Sequence, residues 1–331
     1  MGDFKVQVVQ IGKVGKHPNA DTLSITQVCG RYPVIFKTGC FEPGDYAIHI
    51  PPDALVPLDR PEFSWLESDV VKKFHRVKFA KLRGVPSYGF LIPVPENVTV
   101  IPGQDVRHLL GVEKYDPGPC YQLGGEIAGE HMSVPQGGIV PHYDIEGLRR
   151  NEKIFTPGEE VVITEKIHGS NGRWVHLDGQ LFCGSRTRFR RESVWNKMAE
   201  KYGLASVLGA NEGLVLYGEV YGKSIQDLTY DLEEQRCAFF DIYDTRKGLW
   251  WNWDELARFC AAYGLPTAPV LYRGPFHLEL AYAMAEGKST IASHVREGIV
   301  IKPPVERWDQ EIGRVFLKLP GEGYLLRKQA A

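Results

Sequence analysis

The run Val161-Val162-Ile163-Thr164, closed by Glu165-Lys166 and followed by Ile167-His168-Gly169-Ser170-Asn171, leaves this part of the chain few ways to fold. Four β-branched residues in succession are stiff in a helix and pack well in a strand. The small polar residues after them, Gly169 included, end that strand in a turn. Lys166 therefore stands at a strand end, where its amine can face a cavity, and Gly169 leaves room for a ligand to approach the backbone. An amine attacks phosphorus or carbonyl carbon only when unprotonated, so a nucleophilic lysine needs a nearby cation, a metal or desolvation. An exposed lysine before a turn carries the same local pattern, and only the residues downstream separate the two readings.

Those residues form an ordered series. Asp178-Gly179 is a two-residue hairpin signal, and it is expected to place Arg186 of Ser185-Arg186-Thr187 on a strand paired with the Lys166 segment. Tyr217 to Gly222 reads as a strand carrying one carboxylate, Glu219. Ala238 to Ile242, with Phe240, reads as a buried strand. Glu297 to Pro303, with Lys302, and Arg314 to Lys318 complete the set. Helices are expected over Ser193 to Tyr202, over Asp254 to Tyr263 capped by Asp254, and over Leu278 to Glu286. Strands and helices alternate without the regular spacing of a doubly wound fold, so this half is expected to be α+β, built on antiparallel sheets.

Lysine, arginine, glutamate, aromatic, glutamate and lysine in this order resemble the motif series of the covalent nucleotidyltransferases, the superfamily of ATP-dependent ligases and capping enzymes. The resemblance covers roughly residues 160 to 320. Within it, Glu165-Lys166-Ile167-His168-Gly169-Ser170-Asn171 looks like the nick-sealing RNA ligases, because His168 stands where DNA ligases usually carry aspartate.

The first part of the chain reads differently. Lys5 to Ile11, Ser24 to Val28, Val34 to Thr38, Asp45 to Ile50, Val77 to Leu82 and Gly89 to Ile92 are short strands punctuated by Gly and Pro, the pattern of a small barrel. An OB-like β-barrel over 1–130, binding nucleic acid, is the expectation. His17 to Leu23 is similar to a segment of OB-type tRNA-binding modules, and it also reads simply as a turn. Phe41-Glu42-Pro43-Gly44-Asp45-Tyr46 and Lys81 to Gly89 resemble the subgroup of RNA ligases that place an OB module ahead of the catalytic domain. Residues 131–158 lack periodicity and read as the connection, with a short helical turn near Asp144 to Arg150; residues 159–331 form the nucleotidyltransferase domain.

Length and composition agree with two ordinary globular domains, since 331 residues exceed one typical core and 43% apolar residues suffice to bury two. No run reaches the ~18 apolar residues of a spanning helix, and the start lacks a leader pattern, so a cytoplasmic monomer without membrane contact is expected. Six cysteines without a Cys-x-x-Cys pair indicate neither zinc nor disulfides. A net charge of -2 gives no global pull on a polyanion, leaving local patches: Lys72, Lys73, His75, Arg76, Lys78, Lys81 and Arg83 interleaved with Phe74 and Phe79, and Arg186, Arg188, Arg190 and Arg191. Solvated charged faces read the same way.

What the resemblance implies is specific. Lys166 would take AMP from ATP, with Lys318 and Mg²⁺ or Mn²⁺ stabilising the phosphate charge. Arg186 would hold AMP and later the 5′-phosphate of the nucleic acid; Phe240 would stack on adenine. Glu219 and Glu297 would orient the metal or hold ribose hydroxyls, Asn171 would touch the transferred phosphate, and Glu165, His168, Gly169 and Lys302 would complete the nucleotide site. Arg149 and Arg150 would reach its outer phosphates. The product would be a phosphodiester between 3′-hydroxyl and 5′-phosphate ends, in a nicked duplex with RNA on the 3′-hydroxyl side. The chain departs from the family at Lys318-Leu319-Pro320, where many members carry Lys-x-Lys. Two other readings stay open: a non-catalytic OB-type RNA- or tRNA-binding protein, and an enzyme using GTP or NAD.

Overall fold

The computed structural model describes residues 4–66, 74–96, 98–115, 131–132, 140–141, 143, 145–186 and 188–327. The chain divides into two compact units, one of residues 1–117, 147–152 and 325–331 and the other of residues 118–146 and 153–324. Of the expected connection, Gly147–Glu152 therefore packs with the first unit. Lys72, Lys73 and Asp144 lie outside the described residues.

The first unit is built of short antiparallel strands. Tyr46–Ile50 is central in a three-stranded sheet with Gln7–Gln10 and Phe90–Pro93. Both faces of this strand are buried, which explains its nearly continuous apolar character. Val8, Ile48 and Ile92 lie opposite one another and feed one core; Val9, Ala47 and Leu91 feed the other. Leu23–Val28 pairs with Tyr32–Lys37, and Ala54–Pro57 with Phe74–Arg76. The strand expected over 77–82 is shorter. Ala80–Leu82 forms a hairpin with Val85–Ser87, because Arg83 and Gly84 both have positive φ (45° and 90°), as a tight two-residue hairpin turn needs. The His17 to Leu23 segment fastens this hairpin, with His17 Nε2 3.0 Å from the Leu82 carbonyl and Asn19 Nδ2 donating to that of Arg83.

The second unit holds two main antiparallel sheets and a short pair, Trp308–Asp309 with Gly313–Arg314. The larger runs in the order Phe189–Arg190, Gln180–Ser185, Ser170–Leu177, Leu214–Gly222, Gln235–Asp244, with short strands His131–Met132 and Leu249–Trp250 at its edges. The other has the order Leu317–Pro320, Gly298–Lys302, Glu160–Lys166, Val270–Pro275. Helices Val194–Lys201 and Leu204–Gly209 bury Trp195, Met198 and Leu208 in a core with Trp174, Leu216 and Phe239. The first begins at Ser193 with a capping box to Asn196. Helix Trp253–Ala262 begins one residue earlier than expected: Asn252, boxed with Glu255, is the cap, and Asp254 lies within the first turn. Among the described residues no helix is long and apolar enough to cross a membrane.

The lysine strand belongs to one sheet and the strand that follows it, Ser170–Leu177, to the other. The chain changes sheets across Ile167–Gly169, and this corrects the expected place of Arg186. Its hairpin pairs with Ser170–Leu177, whereas Lys166's neighbours are Val270–Pro275 and Gly298–Lys302.

Candidate active site

Strand register brings the basic residues of the smaller sheet together. Val162 lies opposite Lys302, Thr164 opposite Val300 and thence Lys318, and Lys166 opposite Gly298 and thence Pro320. The period of two puts these rows on one face of the sheet. Pro320, standing where the second lysine of Lys-x-Lys would be, lies in the same row as Lys166. Gly298 between them admits no side chain, because a Cβ there would sit 2.2 Å from the Leu319 carbonyl oxygen.

A cleft of about 220 Å³ opens on that face, lined by Lys166, Lys302 and Lys318 from the smaller sheet and by Asn171, Arg186, Glu219 and Phe240 from the larger. Its apolar part is completed by Tyr143, Trp253, Ala268 and Val300. Alternation along Gln235–Asp244 decides which phenylalanine faces it: Phe239 is fully buried in the core, and Phe240 lines the cleft 4.9 Å from the Tyr143 ring. Behind it, buried Asp241 pairs with Arg314 at 2.7 Å and Lys302 at 3.5 Å and accepts the Tyr143 hydroxyl at 2.6 Å. Burial lowers the Lys302 pKa, against the pull of Asp241.

At the other end Lys166 Nζ meets Glu297 Oε1 at 2.6 Å. Burial pushes the lysine pKa down, but the carboxylates of Glu297 and Glu219 outweigh it, and the amine is held as an ammonium above its ordinary range. Burial pushes Glu219 up to about 8, with Lys166 pulling the other way and Glu297 adding to the rise. Such a carboxyl takes up its proton on folding. Its contribution to stability is therefore present below the unfolded pKa and falls as pH rises towards 8, by an amount on the order of a few kcal/mol. Glu219→Gln, which cannot ionise, should raise Tm by ~5 °C or more at pH 8 in chelator and by little at pH 4.5, as read by calorimetry. An equal change at both pH values would contradict this electrostatic account.

Two buried oxygens here accept no hydrogen bond from the described residues, Glu297 Oε2 and Asn171 Oδ1. Glu219 lies directly across from Asn171 on the adjacent strand. Orphaned oxygens beside paired carboxylates fit Mg²⁺ or Mn²⁺, which keep several waters and need few protein ligands. Among the described residues no group of three or more His, Cys, Asp and Glu gathers to hold a metal, at the cleft or elsewhere, so an ion here would rest on the two carboxylates, Asn171 and water. The buried cysteines are inert, burial pushing Cys183 and Cys260 up to about 12.

Several expected site residues act otherwise. Glu165 lines the cleft as expected, but its carboxylate, 2% exposed, is taken up elsewhere, accepting from Ser289 Oγ (2.5 Å), Thr290 N (2.8 Å) and Thr290 Oγ1 (2.6 Å). It anchors the lysine strand, because side chains adjacent along a strand point to opposite faces. Gly169 makes room for the chain itself and not for a ligand: a Cβ would meet the Val220 carbonyl oxygen at 2.2 Å. His168 lies outside the cleft lining, gripped by Asp227 and Tyr324. Arg149 and Arg150 belong to the first unit, above the rings of Tyr88 and Tyr32, and neither lines the cleft. Tyr143, Trp253, Asp227 and Tyr324 went unread. Tyr143 and Asp227 lie in segments without periodicity, whereas Trp253 opens a helix whose pattern speaks only of core.

A lysine held by carboxylates at the end of a cleft between two antiparallel sheets, with an aromatic wall and basic residues along it, is the arrangement that the resemblance to the covalent nucleotidyltransferases implies. Residues 159–319 match the family model for RNA ligase. Residues 5–94 match the model of an OB-fold domain. Over its length the chain is similar to structures of the Naegleria gruberi RNA ligase. An apo mutant shares 25% identity at a TM-score of 0.85, covering 100% of both chains. The same ligase with PPi, and a mutant of it with ATP and Mn, each share 25% identity at a TM-score of 0.82, covering 98% of this chain and 99% of the other. No curated protein matches the chain.

Proposed function

We propose that this chain is an ATP-dependent RNA ligase that acts in the cytoplasm, as a monomer, on nicked duplexes with RNA on the 3′-hydroxyl side. The observation that carries the reading is the position of Lys166, its amine 2.6 Å from Glu297 at the end of the cleft that Phe240 and Trp253 wall. Lys166 Nζ attacks the α-phosphorus of ATP, a phosphorus–nitrogen bond forms, pyrophosphate leaves and the amine loses its proton. A 5′-phosphate oxygen then attacks the AMP phosphorus. The phosphorus–nitrogen bond breaks, and Lys166 keeps the electron pair and takes up a proton from water. Finally the 3′-hydroxyl attacks the activated 5′-phosphorus, releasing AMP and one proton.

The residues supply orientation and charge more than acid or base groups. Phe240 and Trp253 hold the base, Arg186 and Lys318 face the phosphates, and Glu219, Glu297 and Asn171 would hold the divalent ion. That ion, when bound, neutralises phosphate charge and favours the unprotonated amine. The two structures named with ATP and Mn or with PPi belong to a ligase of matching length, which supports ATP as the nucleotide. The OB-fold unit offers Lys81 and Arg83 on an exposed hairpin for duplex backbone.

Sealing of matched nicked duplexes tests the substrate. Nicks with two ribonucleotides on the 3′-hydroxyl side should seal at least ~10-fold faster than all-DNA nicks, as expected where a single lost sugar-hydroxyl contact costs about that factor. Equal rates on both would overturn the proposed strand preference.

A further inference from the structure

Arg173 stands in strand Ser170–Leu177, 5% exposed, and among the described residues no carboxylate pairs with it. Its guanidinium donates from Nη1 to the Val140 carbonyl over a long 3.4 Å, and its Nε is buried with no acceptor among the described residues. The Phe189 ring covers the group at 4.4 Å. Gly184, directly across from Arg173, makes that cover possible: a Cβ there would sit 2.2 Å from the Arg188 carbonyl oxygen and 2.5 Å from Phe189 Cα. An arginine keeps its proton in proteins, so the charge is permanent. Taking an unpaired charge out of water is costly, and an aromatic face offsets only part of that cost.

The strand sets this charge beside the cleft. Trp174 packs into the core with the helices, whereas Asn171 and Arg173 share the opposite face, from which Asn171 lines the cleft. Arg186 falls in the row of Asn171, one residue past the Gly172–Ser185 pair, and also lines the cleft. Since two residues along a strand span about 7 Å, a phosphate touching Asn171 and Arg186 lies roughly 7 to 10 Å from the guanidinium. That is too far for contact, yet within reach of a charge whose field is little screened by water and that no carboxylate neutralises. We infer that Arg173 is a fixed buried charge whose counter-ion is the phosphate of the bound nucleotide, an attraction added to the direct contacts of Arg186 and Lys318. The inference rests on the ligase reading, in which the nucleotide phosphates face Arg186.

The test compares Arg173→Met, which removes the charge with little change of volume, with Arg173→Lys, which keeps it. For each full-length protein the ATP concentration giving half-maximal AMP-adduct formation is measured, with adenosine as a competing ligand that carries no phosphate. Arg173→Met should raise that concentration roughly tenfold, the size expected of one charge acting over this distance, and leave inhibition by adenosine within about twofold of wild type. Its Tm should equal or exceed that of wild type, because an apolar side chain replaces an unpaired buried charge. Arg173→Lys, a point charge in the same place, should stay within about threefold of wild type for ATP. Adenosine weakened as much as ATP, or a fallen Tm, would show that Arg173 only holds the cleft wall through Val140, and would overturn the inference. Unchanged ATP dependence in Arg173→Met overturns it as well, even where binding of a nicked duplex with a 5′-phosphate weakens. An adduct formed by the wild-type protein keeps the ligase reading intact whatever the variants do. No adduct from the wild-type protein would remove that reading and the inference with it.

Discussion

Lys166→Ala should lose all formation of the covalent AMP adduct, a fall of at least ~10⁴-fold, because no other amine takes its place as nucleophile. Lys302 is buried behind Phe240 against Asp241, and Lys318 lies one row away across the sheet. The same variant should still close a nick that already carries 5′-AMP, since that step needs no lysine–phosphorus bond. Phosphodiester formation on the pre-adenylylated nick within ~10-fold of wild type is the expected outcome, the remaining groups supplying orientation as before. Equal loss of both reactions would mean that the substitution had disturbed the cleft, and the assignment of Lys166 would then rest on nothing.

Glu297→Gln should have the second largest effect, and of a different kind. Burial lowers the lysine pKa while Glu297 and Glu219 raise it more, so removing the nearer carboxylate leaves burial the stronger influence. The pH at which adenylation reaches half its maximum should fall by about one unit or more. The maximal rate should drop by ~10- to 100-fold, because the amide has no charge for the divalent ion. A lower rate with an unmoved pH profile would show that Glu297 does not set the basicity of Lys166.

Much of this site was legible in the sequence because strand periodicity is a local property. The β-branched run before Lys166, the Asp178-Gly179 turn and the lone carboxylate in Tyr217 to Gly222 are each short signals, and the strands formed where those signals lay. Which strands pair is set at long range, and there the reading failed: Arg186 reaches the cleft from the opposite sheet, through a change of sheet at Ile167–Gly169. Resemblance to a motif also could not say which side chains point inward. Glu165 and His168 flank the lysine in sequence, but one anchors a loop and the other is clamped by Asp227 and Tyr324. Tyr143 had no periodic neighbours to betray it, and only the fold brings its hydroxyl to Asp241. In the first unit, Ala54–Pro57 was hidden by the prolines around it, since Pro is rare inside paired strands.

The most direct test of the central claim is incubation with α-labelled ATP and Mn²⁺ or Mg²⁺, with labelled GTP in parallel, then denaturing electrophoresis and peptide mapping. Label from ATP that survives denaturation and maps to the peptide containing Lys166 is the predicted result. No covalent label with either nucleotide and either metal, or label that maps to another residue, would contradict it.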